Sequence, residues 1–178
     1  MLEVFYAETA GADEARARYP GRSKRPGSAF AVSLLAYAVR EVLGVPLPKL
    51  ETDERGKPYF PQKPDLHFSY AHTEGLALCA LSDAETGADA ERLRTVSGRV
   101  ISRFTGDGSL TKLPFFEAWT LMESAVKLDG AGSLLRFSPV VGLRYRHYAL
   151  PGCTACVCSR CYTPPAELTR VDIGAICT

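Results

Sequence analysis

The chain has 178 residues, 46% of them hydrophobic, which is enough for one domain or two small ones packed together and too apolar for a disordered chain. Its 21 basic and 20 acidic residues leave a net charge of +1, so there is no general case for nucleic acid, although net charge does not exclude a local anion site. No long apolar run reads as a membrane helix, and the polar, arginine-bearing start MLEVFYAETAGADEARARYP lacks the pattern of a secretory signal. A cytoplasmic protein is therefore expected, with its six cysteines as free, buried thiols.

Residues 2–7, LEVFYA, read as a strand. A polar stretch follows through Gly27 and carries Arg16, Arg18, Arg22, Lys24 and Arg25. Ser28 is placed to cap a helix, SAFAVSLLAYAVREVL, that Gly44 ends. The proline-rich run PLPKLETDERGKPYFPQKPD predicts short strands near Leu50–Thr52 and Tyr59–Phe60, with Gly56-Lys57-Pro58-Tyr59 as a rigid turn. Stronger strands are expected at 66–71 and 76–83, joined by His72-Thr73-Glu74-Gly75, and another at Thr86–Glu91. A helix is expected from Leu93 to Thr105, a break at Gly106–Ser109, and a second helix over Leu113–Lys127 with Gly130 as its stop. Strands at 141–149, at 154–160 and near LTRVDI close the chain.

The segment LHFSYAHTEGLALCALSD echoes LRYRHYALPGCTACVCSR: strand, short glycine turn, strand. Each lies in a half with one substantial helix. The pattern is compatible with an α+β fold built as a pseudo-twofold duplication of a small unit, each half a helix on an antiparallel sheet. The halves are then residues 1–85 and 86–178, with a site between them.

Asp89 and Glu91 sit one residue apart, so on a strand both carboxylates share a face. Taken alone, the pair reads either as a solvated strand end or as half of a hard-metal site. In FFEAWTLMESAVK, Glu123 and Lys127 lie one turn apart, with Phe116 and Thr120 on the turns before them. Phe115, Trp119, Met122 and Val126 form an adjacent apolar stripe expected to bury against a sheet. The bland account of Glu123 and Lys127 is a surface ion pair; the chemical one is a third carboxylate with a phosphate-holding lysine. His72 and Thr73 could offer an imidazole and a hydroxyl to a phosphate, or be no more than exposed turn residues.

In this order the pieces resemble the Sfp-type 4'-phosphopantetheinyl transferases, the two-repeat branch of the holo-acyl-carrier-protein synthase superfamily. The resemblance is carried by Gly56–Tyr59, by FSYAHTEGLALCALSD, by Gly87-Ala88-Asp89-Ala90-Glu91 and by Trp119 through Lys127. It implies an enzyme that moves phosphopantetheine from coenzyme A to a serine of an apo acyl or peptidyl carrier protein, releasing adenosine 3',5'-bisphosphate. It implies Mg²⁺ (or Mn²⁺) on Asp89, Glu91 and Glu123, with Glu123 as the serine base. Lys127 is implied to contact the pyrophosphate, His72 and Thr73 to hold nucleotide phosphates, and Lys57 to bind the nucleotide end. Arg22, Lys24 and Arg25 are further candidates for coenzyme A. A monomer follows if the site lies between halves of one chain. A homologue that holds coenzyme A or a carrier without transfer is the alternative.

Three positions depart from the family pattern. Met122 stands where a lysine is usual, Ala71 replaces a serine, and Ala36 takes the place of a helix arginine, with Arg40 one turn later. Cys153, Cys156, Cys158 and Cys161 offer four thiols, but their spacing along a strand is poor for a tetrahedral zinc site. Arg94, Arg99 and Arg103 read as a solvated helix face; the resemblance implies Arg99 and Arg103 as charges that steer an acidic carrier, with Phe104, Phe115 or Phe116 as apolar contacts. No aromatic platform accompanies the arginines that would argue for nucleic acid.

Overall fold

A computed structural model describes residues 1–13, 17, 27–104, 113–130 and 142–177, without the side chain of Arg103. Two sheets are built from strands β1 (Leu2–Glu8), β4 (His67–Thr73), β5 (Leu76–Ser82), β6 (Thr86–Arg92), β7 (Arg144–Leu150), β8 (Cys153–Ser159) and the two-residue β9 (Thr169–Arg170). The first runs β4-β5-β1-β9 and the second β6-β8-β7. A separate hairpin joins β2 (Glu51–Thr52) to β3 (Pro58–Tyr59). The helices are α1 (Ser28–Leu43), α2 (Gly98–Phe104) and α3 (Phe115–Asp129).

Period-two alternation decides which side chains face which layer. Phe5, Ala7, Ala77, Cys79 and Leu81 point from the first sheet into a core with Phe30, Leu34, Leu35 and Val39 of α1. Val4, Leu76, Leu78 and Ala80 point the other way, into a second core with Ala88, Ala90, Ala155 and Val157 of the second sheet. The layers are therefore α1, sheet, sheet, α3. The tail after β8 returns to the first sheet: β9 pairs in parallel with β1, and Val171 and Ile176 join the α1 core. Among the described residues no helix is long and apolar enough to cross a membrane.

The observed α+β architecture follows the expected elements with several corrections. The N-cap of α1 is Gly27, not Ser28; Ser28 is the first helical residue, and its buried hydroxyl has no hydrogen-bond partner among the described residues. Strand β4 runs on through His72 and Thr73, which pair with Ala77 and Leu76, so the turn is only Glu74-Gly75. Helix α2 starts at Gly98 rather than Leu93: the Leu93 N–H donates to the Gly152 carbonyl (2.9 Å) at the end of the β6–β8 pairing, and residues 93–97 are irregular. The sheet-facing stripe of α3 is Ala118, Leu121, Ser124, Ala125 and Leu128; of the expected stripe only Met122 is buried. Phe115 and Trp119 instead pack with Phe104 of α2, at ring separations of 5.3 and 5.0 Å from it. The expected break at Gly106–Ser109 and the start of the 141–149 strand lie outside the described residues.

The two hairpins whose sequences echo one another share one geometry. Each has two seven-residue strands joined by a two-residue turn, and the second turn residue, Gly75 or Gly152, has positive φ. In both sheets the second hairpin strand is central, paired with the strand that precedes the main helix.

Candidate active site

The seam between the sheets lies where β4 meets β6. The Ser69 hydroxyl accepts from the Ala88 N–H (2.9 Å), and the Thr73 hydroxyl accepts from the Arg92 N–H (3.1 Å). Beside this seam lies a cleft of about 540 Å³, lined by Phe68–His72, Asp89–Glu91, the Arg55–Pro58 turn, and Glu123, Val126, Lys127 and Gly130. Four chain segments far apart in sequence thus bring Lys57, His72, Asp89, Glu91, Glu123 and Lys127 to one surface. Thr73 is not on it, since its hydroxyl is committed to the seam. Arg22, Lys24 and Arg25 lie outside the described residues.

Gly87 sets how closely α3 rides over β6. A Cβ at this position would sit 1.9 Å from the Ser124 carbonyl oxygen and 2.9 Å from the Leu128 nitrogen, so no larger residue fits without moving the helix. This close approach lets Lys127 Nζ reach Asp89 Oδ1 at 2.7 Å.

Asp89 is 7% exposed, and its Oδ2 is buried with no hydrogen-bond partner among the described residues. Burial pushes its carboxyl above the usual carboxylate range; Lys127 opposes the shift and Glu91 adds to it. The Glu123 carboxyl is also raised, by burial and then by the Asp89 charge. Glu91 is drawn toward Arg94, whose Nη1 lies 2.9 Å from Glu91 Oε2 and whose guanidinium stacks over Phe116. Among the described residues no three His, Cys, Asp or Glu side chains stand close enough together to hold a metal ion as they are placed. Even so, the donors suit a hard divalent cation: carboxylate oxygens only, one of them buried and unpaired, in a cluster whose mutual repulsion a cation would relieve. Asp89, Glu91 and Glu123 are the carboxylates that line this cleft.

Lys57 is half-buried and donates to the Leu128 carbonyl at the end of α3. Burial pulls its ammonium below the usual lysine range, against the raising effect of Glu85, Asp53 and Asp129. His72 lies beside the start of α1, its Cδ2 3.0 Å from where a Gly27 Cβ would stand.

Of the three departures, Met122 is 3% exposed and belongs to the core rather than the cleft. Ala36 is buried in α1, and Arg40 is exposed, with its guanidinium over Tyr37 and near Glu41. Ala71 does line the cleft. Arg55 and Tyr70 are lining residues that the sequence reading passed over. Tyr70 was accessible to it, since it shares a strand face with His72 by alternation. Arg55 was not, since nothing local shows where a turn arginine reaches.

The cysteines divide between layers. Cys153 points into the sheet–sheet core, Cys156 and Cys158 lie toward Ser124 of α3, and Cys161 is exposed, all as free thiols. Arg99 is exposed on α2.

No family model matches the chain. Individual relatives do. It is 29% identical over 94 residues to 4'-phosphopantetheinyl transferase Sfp of Bacillus subtilis (strain 168), covering 47% of this chain and 42% of that protein. It is 27% identical over 111 residues to 4'-phosphopantetheinyl transferase psf-1 of Bacillus pumilus, covering 56% and 48%. It is 29% identical over 104 residues to 4'-phosphopantetheinyl transferase gsp of Aneurinibacillus migulanus, covering 52% and 43%. The chain thus covers less than half the length of each of these curated relatives. The resemblance read from the motifs holds: the chain is similar to Sfp-type 4'-phosphopantetheinyl transferases.

Proposed function

We propose that the protein transfers the 4'-phosphopantetheine group of coenzyme A to a serine of an apo acyl or peptidyl carrier protein, as a Mg²⁺-dependent enzyme. The observation that carries this reading is the cleft in which the G-x-D-x-E strand, the glutamate–lysine helix and the lysine-bearing turn converge. The relatives, all transferases of this name, support it.

In this reading the pyrophosphate lies over Asp89, Glu91 and Glu123, with Lys127 offering its ammonium to a phosphate oxygen. Lys57 and His72 stand nearer the nucleotide. Mg²⁺, held by the three carboxylates, would offset charge on the pyrophosphate. Glu123 takes the serine proton, a role that suits a carboxyl held above the usual range. The serine oxygen bonds to the phosphorus that carries pantetheine, the bridging P–O bond breaks, and adenosine 3',5'-bisphosphate leaves with that oxygen. The matching strand order and hairpins of the two sheets support a duplicated α+β unit with the site between its halves, and hence a monomer.

A second reading, a homologue that binds coenzyme A or a carrier without transfer, is favoured by Ala71, which removes a polar side chain of the family pattern from the cleft wall. One experiment separates the two: intact-mass analysis of apo carrier proteins incubated with the protein, coenzyme A and Mg²⁺, beside Glu123→Ala. A gain of about 340 Da that needs both metal and Glu123 is the expected result. Coenzyme A binding with no gain on any carrier would select the second reading, and neither binding nor gain would overturn both.

A further inference from the structure

The C-terminal end of α3 is held by hydrogen bonds from the β2–β3 turn. Asp53 folds the β2–β3 turn: its Oδ1 accepts from the N–H groups of Arg55 (2.9 Å) and Lys57 (2.8 Å). Its own N–H donates to the Lys57 carbonyl (3.0 Å), and Gly56, at φ 87°, takes the conformation that a larger residue resists. The turn presents two cations to the end of α3. Lys57 Nζ donates to the Leu128 carbonyl, and Arg55 Nη1 donates to the Asp129 carbonyl at 3.3 Å.

These carbonyls are among the last four of the helix, which have no partner within it and carry the negative end of its dipole. Gly130 completes the end, its N–H donating to the Val126 carbonyl at φ 65°. A Cβ there would stand 3.5 Å from Lys57 Cδ and 3.8 Å from Arg55 Cδ, so the turn packs against the helix end as well as bonding to it. From the other side, Arg160, just past β8, binds the Asp129 carboxylate at 2.6 Å.

We infer that the Asp53–Lys57 turn is a positioning clamp that fixes α3, and with it Glu123 and Lys127, against Asp89 of β6. Arg55 and Asp53 are its positioning residues. The clamp joins a turn of the N-terminal part to the helix bearing the cleft's glutamate and lysine. Lys127 lies one residue before the clamped Leu128 carbonyl, and Glu123 just over one turn earlier, so fraying or rotation of this end moves both side chains relative to Asp89. The alternative role for Arg55, a ligand contact from the cleft wall, predicts a different kinetic signature.

The consequence for turnover rests on the transfer reading; the clamp itself does not. The test is hydrogen exchange on the metal-free full chain, paired with steady-state transfer kinetics, for Arg55→Gln, Asp53→Ala and Arg55→Lys. Arg55→Gln and Asp53→Ala are each expected to speed exchange of the 127–130 amides about fivefold or more, while the β4 and β5 amides stay unchanged. The same two variants are expected to lower kcat about tenfold with the coenzyme A KM within about twofold, and Arg55→Lys to restore most of both. Unchanged exchange at 127–130 in both variants would overturn the clamp. A raised KM at constant kcat for Arg55→Gln would overturn it in favour of a ligand contact. Absence of transfer by the unaltered protein would sink the transfer reading alone, and the exchange result would still decide the clamp.

Discussion

The two hairpin-bearing sheets invite a comparison position by position. Asp89 pairs with Cys156 in the second sheet, and at the same register of the first sheet Phe5 pairs with Cys79. Glu91 opposite Thr154 likewise corresponds to Ala7 opposite Ala77. Each pair faces the helix that covers its sheet. Phe5 meets Tyr37 of α1 edge-on at 6.2 Å, whereas Asp89 meets Lys127 of α3 at 2.7 Å. The same register position carries an apolar side chain in one sheet and a carboxylate in the other. What differs is the covering helix: α1 is buried along most of its length, while α3 leaves its Glu123–Lys127 edge open to the cleft. One scaffold can thus spend a helix–sheet interface on stability or on a site, and the carboxylates sit where an apolar pair would otherwise seal the layer.

That contrast can be broken most forcefully at Phe5. Phe5→Ala should destabilise the fold by about 3–5 kcal/mol through the cavity it leaves. Asp89→Asn should shift stability by less than about 1 kcal/mol, because burial already disfavours its charge, yet lower transfer about 100-fold or more. Urea unfolding and the carrier mass assay read the two effects; equal stability losses would erase the distinction between the halves. Next comes Gly87→Ala, expected to cost at least about 3 kcal/mol because the new methyl meets backbone rather than a movable side chain. The register-equivalent Glu3 is exposed, and Glu3→Ala should stay within about 0.5 kcal/mol. Met122→Lys, which restores the family's usual residue, should destabilise by about 2 kcal/mol and not raise activity, since this side chain faces the core.

The smallest effect is one of pH. The Glu123 carboxyl is raised in the fold, by burial first and by Asp89 second, so the folded state binds this proton more tightly than the unfolded chain. Its ionisation costs stability above the folded pKa, and the cost is relieved as pH falls through that pKa toward the ordinary value near about 4.3. Relative to Glu123→Gln, the metal-free wild type should gain about 1–3 °C in Tm as pH is lowered from 7 into that window. A constant Tm difference across the range would show that the Glu123 environment does not favour its neutral form.

Much of this was legible from local pattern. The presence of β4 and β5, the turn ending in Gly75, the end of α1 at Gly44 and of α3 at Gly130, and the shared face of Asp89 and Glu91 all follow from periodicities of two and 3.6 and from glycine's access to positive φ. The sheet-facing stripe of α3 was misread because small residues, not the aromatic ones, pack where the helix comes closest, and only the contact between Gly87 and Ser124 shows where that is.

Local pattern was enough to place most strands and helices, the carboxylate pair on one strand and the glutamate–lysine pair on one helix, because each depends on neighbours a few residues away. It took the packed layers to bring Lys127 onto Asp89, to commit Thr73 to the seam rather than the cleft, and to close the end of α3 with Arg55 and Lys57. Those pairings join residues between 19 and 74 positions apart, where no local periodicity operates and the packing of the layers alone sets the distance.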